Sequence, residues 1–489
     1  MFLSLTTAVR AFFLMPLLAA GLCAGQWNHW RGPQRNGVDP DSPALRSELP
    51  SDGLLPMWTS EENFPTGGSG GWSSPVVADG CVFVLTHVRN RREGVELPPE
   101  KFKSLDDDHR AKLTEEQLEK YESNRREEQQ RRRALLFQHE ERLTCFDAAT
   151  GKQLWVNTHD SHQTRYAQSS SPAVVDGIII VHGARGVVRA VDAGSGEGIW
   201  RTQLPGEFDE QPHPASVAVA GSVVVIVAGR PFGLDLKSGK LLWQGSDELR
   251  SDNSSPAVWM HRGESYVLLH TGKETACLSA NDGREIWRVE SQAGRSSPVV
   301  TGDRLITYGN SRKGGVRAFA LSPERADPLW KNTDVADEGS SPVPVGEHLY
   351  VHGDRRLVCI DMADGKTLWR RELDIERPRY TSLVAAGEQV IFAAGGLLCF
   401  AADPDQYRLL VNGRFDSEGR LATEEYFRRE LNIEKLEQTA EGQKQAQSIW
   451  RKQIESSGPA QCVSPALHDG RIYLRLRNGS IACYDLRQP

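Results

Sequence analysis

The sequence predicts an all-β fold, an eight-bladed β-propeller of four-stranded antiparallel blades, and two repeated signals carry this prediction. The first is a phrase that ends in Trp, as in FDAATGKQLW at 146–155 and IDMADGKTLW at 360–369. The second is a Ser-Pro pair followed by a β-rich run, found in six clear and two weaker copies. A period of about 40 to 45 residues indicates small sheets that bury their faces against neighbouring copies.

The first element is a separate segment, 1–25, in which a positive charge precedes the apolar run 11–22 and small residues follow. This pattern is typical of a cleaved export signal. The run is shorter than the about 20 residues of a membrane span, and no later stretch reaches that length, so we expect no transmembrane segment. Leu22 stands where lipoprotein signals carry a small residue, so we expect no lipid anchor at Cys23. Residues 26–489 then form one exported propeller domain.

Each copy reads as strand, turn, strand, hairpin, strand ending at Asp, Gly-containing turn and a last strand. In the clearest hairpin, Asn478 and Gly479 suit the two positive-φ positions of a tight turn. The first two strands of the eight copies span 73–85, 170–182, 214–227, 254–269, 296–308, 340–352, 381–394 and 463–476.

The two ends of the chain complete one blade. The eighth copy stops after 482–486, where its Trp strand should begin. An unassigned Trp strand is present near the other end, at 54–61. We therefore expect this N-terminal strand to close the ring, which removes exposed sheet edges.

In seven blades the last strand carries a Trp, which we expect to wedge between adjacent sheets as structural packing rather than as a ligand-stacking surface. Blade seven differs, with Leu409 or Leu410 near the Trp position. The seven blade-docking residues are Trp58, Trp155, Trp200, Trp243, Trp287, Trp330 and Trp369.

Five cysteines occupy one equivalent position of the repeat, just ahead of the Asp. Each belongs to a different unit, so we expect buried free thiols in core positions rather than disulfides. These residues are Cys145, Cys277, Cys359, Cys399 and Cys483.

The repeat resembles the pyrroloquinoline quinone (PQQ) enzyme-like repeat, whose unit ends in a similar Asp-x-x-Thr-Gly-x-x-x-Trp phrase, over Trp58 to Leu486. The opening phrase WNHWRGPQRNGV at 27–38 also resembles the start of exported PQQ-like repeat proteins. The resemblance covers PQQ-dependent dehydrogenases and non-catalytic eight-bladed relatives such as BamB-like outer-membrane assembly proteins. Fold alone does not choose between a catalyst and a scaffold.

For a dehydrogenase, the resemblance implies a disulfide between adjacent cysteines, calcium held by Glu and Asn, and an Asp base. The sequence has no adjacent Cys pair and no Cys-x-x-Cys-His haem motif. Asp252 and Glu338 are candidate acids, but lone loop carboxylates are commonly solvated surface groups. We expect no catalytic residue, no metal and no cofactor, with PQQ and calcium as the alternative.

The channel rim is the candidate ligand site. If the Ser-Pro strand is innermost, one residue before each copy stands at a channel mouth, a mixed polar and aromatic set that suits a polar organic ligand or a peptide. The alternative is a solvated rim without a ligand. The rim residues are Trp72, Ser169, His213, Asn253, Arg295, Gly339, Tyr380 and Cys462, and the ligand-binding candidates among them are Trp72, His213, Asn253, Arg295 and Tyr380.

Two insertions interrupt the period, at about 88–140 within blade one and about 412–460 between blades seven and eight. Thr114 and Gln117 form a capping-box pattern ahead of a helix with i,i+4 charge pairs. Strand order puts both insertions on one face, so we expect two helical protrusions side by side near the channel mouth. They form a partner-binding surface or, alternatively, solvated decorations.

These observations favour an exported, monomeric and non-enzymatic scaffold for protein–protein interaction. We expect protein partners on one propeller face and on the insertions, in the periplasm or cell envelope, with peripheral placement at the outer membrane in a BamB-like role. The net charge of −7 gives no support for nucleic-acid binding. The alternative is a PQQ-dependent dehydrogenase, or a propeller that binds a small ligand in its channel.

Overall fold

Eight sheets surround a central channel in the computed structural model of the protein. Each of the eight blades is built on four antiparallel strands, so the predicted eight-bladed propeller is confirmed. The structure describes residues 26–68, 70–251, 253–373 and 380–489. The predicted export signal, Cys23 and the candidate acid Asp252 lie outside these described residues.

Short apolar runs separated by tight turns set the strand bounds. In the first hairpin, Asp79 (φ 50°) and Gly80 (φ 74°) both adopt the left-handed conformation that a two-residue hairpin turn requires. The strands before blade four are β1 (Val38–Asp39), β2 (Trp58–Thr59), β3 (Val76–Ala78), β4 (Cys81–Arg91), β5 (Phe137–Asp147), β6 (Gln153–Ser161), β7 (Ala173–Val175), β8 (Ile178–His182), β9 (Val187–Asp192), β10 (Gly198–Gln203), β11 (Ala218–Ala220), β12 (Val223–Ala228), β13 (Arg230–Asp235) and β14 (Leu241–Gln244).

Blades four to eight repeat the same order. Their strands are β15 (Ala257–His261), β16 (Glu264–Thr271), β17 (Glu274–Ser279), β18 (Glu285–Glu290), β19 (Val299–Thr301), β20 (Arg304–Tyr308), β21 (Val316–Leu321), β22 (Ala326–Asn332), β23 (Val343–Val345), β24 (His348–Gly353), β25 (Arg356–Asp361), β26 (Thr367–Glu372), β27 (Val384–Ala386), β28 (Gln389–Ala393), β29 (Leu397–Ala401), β30 (Leu409–Phe415), β31 (Leu421–Ala422), β32 (Ala466–His468), β33 (Arg471–Arg475) and β34 (Ile481–Asp485).

The ring closes as the sequence predicts. Strand β2 pairs antiparallel with β34, with Trp58 opposite Cys483 and Thr59 opposite Ala482. The last blade therefore combines three strands from the C-terminus with one from the N-terminus. Blade seven is wider than the others, because β1 adds in parallel to β27 and β31 adds to β30.

Each blade-end Trp reaches the neighbouring blade. Its Nε1–H donates to a main-chain carbonyl in the turn of the next blade, at 2.8–3.3 Å. In other blades the Trp lies opposite the repeat-position Cys, as Trp287 lies opposite Cys277. In blade seven Val411 lies opposite Cys399 and so occupies the Trp position, which is close to the predicted Leu409 or Leu410. The donor–acceptor pairs are Trp58–Ala148, Trp155–Ala193, Trp200–Leu236, Trp243–Ala280, Trp287–Ser322, Trp330–Met362 and Trp369–Asp403.

A row of serines links the innermost strands, and we call it the serine girdle. From Ser464 round the ring to Ser341, the N–H of each girdle Ser donates to the Oγ of the girdle Ser in the next blade, at 2.8–3.1 Å. This repeated bond explains why the second Ser of the Ser-Pro motif recurs. The girdle runs Ser464, Ser74, Ser171, Ser216, Ser255, Ser297, Ser341 and Ser382.

Helices lie in both long insertions. None of those in the part of the chain that the structure describes has the length and apolarity of a membrane span. The five repeat-position cysteines are buried and free, as predicted. The helices are α1 (Asp107–Arg110), α2 (Glu115–Leu136), α3 (Glu424–Glu430), α4 (Ile433–Leu436) and α5 (Ala440–Trp450), which continues as a π-helical turn (Arg451–Glu455).

Candidate functional site

The N-terminal segment 26–39 crosses the central channel, and we call it the plug. The main-chain oxygen of Trp27 accepts from the N–H of Val77 in blade one at 2.9 Å, and that of Asn28 accepts from Val174 in blade two at 2.8 Å. The segment then ends as β1 against blade seven. The donors of these bonds, Val77 and Val174, each come three residues after a girdle serine and so lie farther from the rim. The plug therefore fills the end of the channel away from the rim.

Two arginines hold the plug to main-chain oxygens of three further blades. The Arg31 guanidinium donates to the Pro342 oxygen at 2.6 Å and to the Ser341 oxygen at 3.3 Å. The Arg35 guanidinium donates to the oxygens of Pro256 at 2.9 Å and Ser216 at 3.2 Å, and to that of Val217. Both side chains are buried. Their acceptors in the described residues are main-chain oxygens, whose dipoles compensate only part of each charge.

Burial governs the charge state of these groups. It lowers the pKa of Arg31 and of Arg35 to about 9, so both guanidinium groups stay protonated at neutral pH. Burial, reinforced by the charge of Arg35, lowers the pKa of His29 to about 3, and this imidazole is neutral. The channel interior therefore carries two positive charges, which lie 5.8 and 6.0 Å from the ring centroid of Trp30.

A cavity of about 320 Å³ lies between Trp30 and the rim, and we call it the cup. Trp30 contributes to its floor, and hydroxyl groups of the girdle line its wall. The segments that lead into the innermost strands of all eight blades form the rim. The rim and wall residues are Trp72, Tyr166, Ala167, Ser169, Ser171, Pro212, Pro214, Ser216, Asn253, Ser255, Arg295, Ser297, Gly339, Tyr380 and Cys462.

Aromatic side chains stand on two sides of the mouth. The rings of Trp72 and Tyr166 meet edge to face with centroids 6.3 Å apart. Opposite them, the Arg295 guanidinium donates to the Tyr380 hydroxyl at 2.6 Å. The Tyr380 ring lies over Gly339, where an added Cβ would sit 2.2 Å from the ring, so blade six leaves room for this contact between blades five and seven.

The structure brings together four of the five predicted ligand-binding candidates, Trp72, Asn253, Arg295 and Tyr380, at the cup. His213 is misplaced by one residue, since Pro214 takes the rim position of blade three. The reason is the girdle bond of Ser216, which fixes the register of that weak copy. His213 instead borders a separate pocket near Phe208.

Sequence reasoning missed Trp30 and the two plug arginines. Their phrase, 27–38, was distinctive in the sequence, but nothing in it indicated a place inside the channel. The candidate acid Glu338 is absent from the cup lining, and its main-chain oxygen accepts from the Arg295 N–H at 3.3 Å. No carboxylate lines the cup among the described residues, and within the described ranges no group of three His, Cys, Asp or Glu side chains could hold a metal ion.

The first insertion forms a projecting structure that we call the arm, residues 92–136. Its base is the tall hairpin of β4 and β5, which stays paired up to Arg91 opposite Phe137. Helix α2 starts at a capping box and is largely exposed. Its buried Glu128 accepts from the N–H groups of Lys101 at 2.8 Å and Phe102 at 2.7 Å. These bonds, which we call the Glu128 clasp, hold the segment before the helix against α2.

A buried ion pair supports the base of the arm. Glu141 on β5 and Arg189 on β9 of blade two lie 3.2 Å apart, and both are buried. The charge of Arg189 and several hydrogen bonds outweigh burial and hold the pKa of Glu141 below its usual value. His87 and His139 stack edge to face nearby at 5.4 Å, and burial lowers the pKa of His139 to about 4.

The second insertion packs on blade seven rather than projecting freely. Phe427 of α3 and Ile454 of the π-helical turn form a small buried cluster with Ala422. Arg428 forms an ion pair with Glu437, which ties α3 to the end of α4. This insertion therefore has a core of its own at the edge of the disc.

The blades, the serine girdle and the Trp contacts define a PQQ-like repeat β-propeller. The chain belongs to the family described as outer membrane protein assembly factor BamB, whose model matches residues 139–277 and 256–426. These ranges together cover more than half of the chain.

The individual relatives include both outer membrane assembly factors and dehydrogenases. The chain is 26% identical over 302 residues to the outer membrane protein assembly factor BamB of Yersinia pestis, covering 56% of this chain and 73% of that protein. It is 23% identical over 218 residues to a polyvinylalcohol dehydrogenase of Sphingopyxis sp., covering 43% of this chain and 29% of that protein. The structure of quinohemoprotein alcohol dehydrogenase from Comamonas testosteroni matches with a TM-score of 0.56 at 11% identity, over 95% of this chain and 81% of that one. This structural likeness shows the fold alone.

Proposed function

We propose that the protein is an exported, non-enzymatic propeller that acts as a scaffold for protein–protein interaction in the cell envelope. The similarity to outer membrane protein assembly factors supports this role. The predicted export signal at 1–25 supports delivery across the inner membrane. In this proposal the protein is a monomer at the periplasmic side of the outer membrane, and partners bind the face that carries the arm.

The observation that carries the proposal is the arm. A 22-residue helix that buries only Glu128 contributes little to the propeller core. It is nevertheless ordered by a capping box and by the Glu128 clasp, so its shape is set before any partner arrives. A preorganised, exposed and charge-rich helix on one face of a repeat protein is the type of surface that recognises another protein.

Removing the arm tests this proposal. Because Arg91 pairs with Phe137, an Asn-Gly turn can replace 92–136 without changing the register of the hairpin. Crosslinking in the native envelope, followed by mass spectrometry, compares this variant with the wild-type protein. We expect the crosslinked partners to be lost, and retention of every partner would contradict the proposal.

A charge-reversal pair sharpens the result. Arg126→Glu with Arg133→Glu changes two exposed arm residues, and Lys237→Glu with Lys240→Glu changes two exposed residues of a turn on the opposite face. We expect the arm pair to weaken partner capture and the control pair to leave it unchanged. Equal loss from both pairs would indicate a general charge effect and refute the role of the arm.

The second candidate function is PQQ-dependent oxidation in the cup, which the similarity to a polyvinylalcohol dehydrogenase suggests. The described residues do not fit a calcium-bound quinone, since no carboxylate among them lines the cup. Calcium sites in proteins need several carboxylate or carbonyl oxygens. A dye-linked alcohol or sugar oxidation assay with added PQQ and calcium tests this candidate, and robust turnover would overturn the scaffold proposal.

A further inference from the structure

A cavity of about 410 Å³ lies against the second insertion, outside the channel, and we call it the insertion pocket. One wall is the π-helical turn Arg451–Glu455. The other walls include the turn between β28 and β29 of blade seven, at 394–395, and the segment 459–461 that leads into blade eight. The described residues that line this pocket and those that line the cup do not overlap, so the two cavities are separate.

Three arginines line the insertion pocket: Arg414 of β30, Arg451 of the π-helical turn and Arg477 of the turn between β33 and β34. The Arg451 side chain is exposed and makes no hydrogen bond or ion pair with another described residue. Arg477 donates through Nε to the Pro459 oxygen at 3.3 Å and through Nη1 to the Glu455 main-chain oxygen. These bonds hold Arg477 in place, while its Nη2 has no partner among the described residues. Two of the three guanidinium groups therefore keep donors for a ligand.

The charges of the lining do not cancel. Glu455 is the one carboxylate among the described lining residues, so three guanidinium groups and one carboxylate give a net charge of +2. Glu424 lies 3.9 Å from the Arg414 guanidinium, but it stands outside the lining and is partly exposed, and such ion pairs are weak. The insertion pocket therefore matches a ligand with two negative charges.

A buried hydroxyl is a second, independent sign of a ligand. Thr381 lines the insertion pocket and is 1% exposed, and its Oγ1 has no hydrogen-bond partner among the described residues. Burying a hydroxyl without a partner is costly, and native structures leave few such groups. An acceptor oxygen of a ligand in the pocket would satisfy this hydroxyl.

We propose that the insertion pocket binds a phosphate monoester. At neutral pH this group carries a charge of about −1.5 to −2 and three acceptor oxygens, which match the net charge of the lining and its guanidinium and hydroxyl donors. The volume falls within the range of ligand sites, roughly 300–1,000 Å³, so an organic group such as one sugar ring fits beside the phosphate. Trp450 lines the pocket and offers a ring surface to that group. The pocket is separate from the arm, so the inference is independent of the scaffold proposal.

Isothermal titration calorimetry of the chain without its predicted export signal, in phosphate-free buffer, tests the inference. The soluble probes are D-glucose 6-phosphate, D-glucose 6-sulfate, which has the same shape and a smaller charge, and D-glucose. We expect the 6-phosphate to bind more tightly than the 6-sulfate, and D-glucose not to bind. Equal binding of the 6-phosphate and either of the other two probes would overturn the proposal.

Vesicle flotation distinguishes a soluble ester from a lipid head group with the same chemistry. Phosphatidic acid in phosphatidylcholine vesicles presents a phosphate monoester, and phosphatidylglycerol, whose phosphate is a diester, is the control. Binding of D-glucose 6-phosphate supports a small soluble ligand, and selective binding of the phosphatidic acid vesicles alone supports a lipid. Binding of neither the soluble ester nor these vesicles would overturn the proposal.

Variants place the ligand in the insertion pocket. Arg451→Gln should weaken binding of the monoester about ten-fold or more, the usual effect of losing a charge-assisted hydrogen bond. Arg429→Gln changes an exposed arginine of α3 in the same insertion, and this matched control should bind as the wild type does. Unchanged affinity in Arg451→Gln, or an equal loss in Arg429→Gln, would refute the proposed site.

Two further variants separate ligand binding from folding. Thr381→Val should weaken binding about five-fold without lowering the melting temperature of the ligand-free protein, because the hydroxyl that it removes has no partner there. Glu455→Gln removes a negative charge from the lining and should tighten binding; weaker binding would refute the charge match. The arm-deleted protein should bind as the wild type does, so failure of the scaffold proposal and failure of this one are distinguishable.

Discussion

Replacing Trp243 by Ala tests how the blades are held together. Trp243 is 7% exposed and packs in the core between blades three and four. Its Nε1–H donates to the Ala280 oxygen at 2.8 Å, and its ring lies on Gly283. Truncating a buried aromatic side chain costs about 3 to 5 kcal/mol, and the Ala280 carbonyl that loses its donor adds about 1 kcal/mol. We therefore expect a loss of roughly 4 to 6 kcal/mol in the free energy of unfolding.

Two companion variants separate the contributions. Trp243→Phe keeps an aromatic ring but removes the N–H donor, so it should cost about 1 to 3 kcal/mol. Leu242→Ala changes the preceding residue of the same strand, whose side chain is 45% exposed, and should cost less than about 0.5 kcal/mol. The order of the three losses follows from burial and hydrogen bonding alone.

Urea unfolding followed by far-UV circular dichroism measures these differences, with the free energy taken from the midpoint and the slope of each transition. A slope equal to that of the wild type ensures that the variants differ in stability rather than in the extent of unfolding. If Trp243→Ala and Leu242→Ala unfold within about 1 kcal/mol of each other, the reasoning on blade docking is wrong.

Three further predictions concern buried groups. Arg189→Met leaves Glu141 buried without its cation and should cost about 3 to 5 kcal/mol in urea unfolding, most of which the double variant with Glu141→Gln should restore. Burial lowers the pKa of His182 to about 4 in the folded protein, from about 6.5 in the unfolded chain. The unfolded chain therefore binds a proton first as the pH falls, so the stability that neutral His182 contributes is complete above pH 6.5 and is lost as the pH falls towards 4. His182→Gln should therefore reduce the fall in the urea midpoint between about pH 7 and 4.5. Gly283→Ala should reduce the free energy of unfolding by more than about 1 kcal/mol and so lower the melting temperature, because φ is +70° and the new Cβ would lie 2.5 Å from the Trp243 ring. An unchanged melting temperature would contradict this.

The blades were predictable because their determinants repeat at a fixed spacing. Trp58 could be assigned to the last blade from the sequence, since the eighth copy lacks its final strand and the N-terminus supplies an extra one. The repeated Gly of the Trp phrase also has a local explanation, as Gly283 shows by its positive φ and its contact with Trp243. Such local, repeated constraints can be read from a single chain.

The plug could not be predicted, because its contacts are neither local nor repeated. Arg31 bonds to the oxygen of Pro342, more than 300 residues away, and Arg35 bonds to that of Pro256. The acceptors are main-chain oxygens, so no complementary side chain marks them in the sequence. The misplacement of His213 has a similar cause, since the weak third copy lacks the Pro that marks the register in the six clear copies, and the bond between girdle serines sets it instead.

Strand direction connects the cup with the arm. In blade one, β3 runs from the rim near Trp72 down to the turn at Asp79, and β4 returns to the rim face before the chain enters the arm at 92–136. The base of the arm and the mouth of the cup are therefore on one face, while the plug occupies the other end of the channel. A partner held by the arm would lie beside the mouth of the cup.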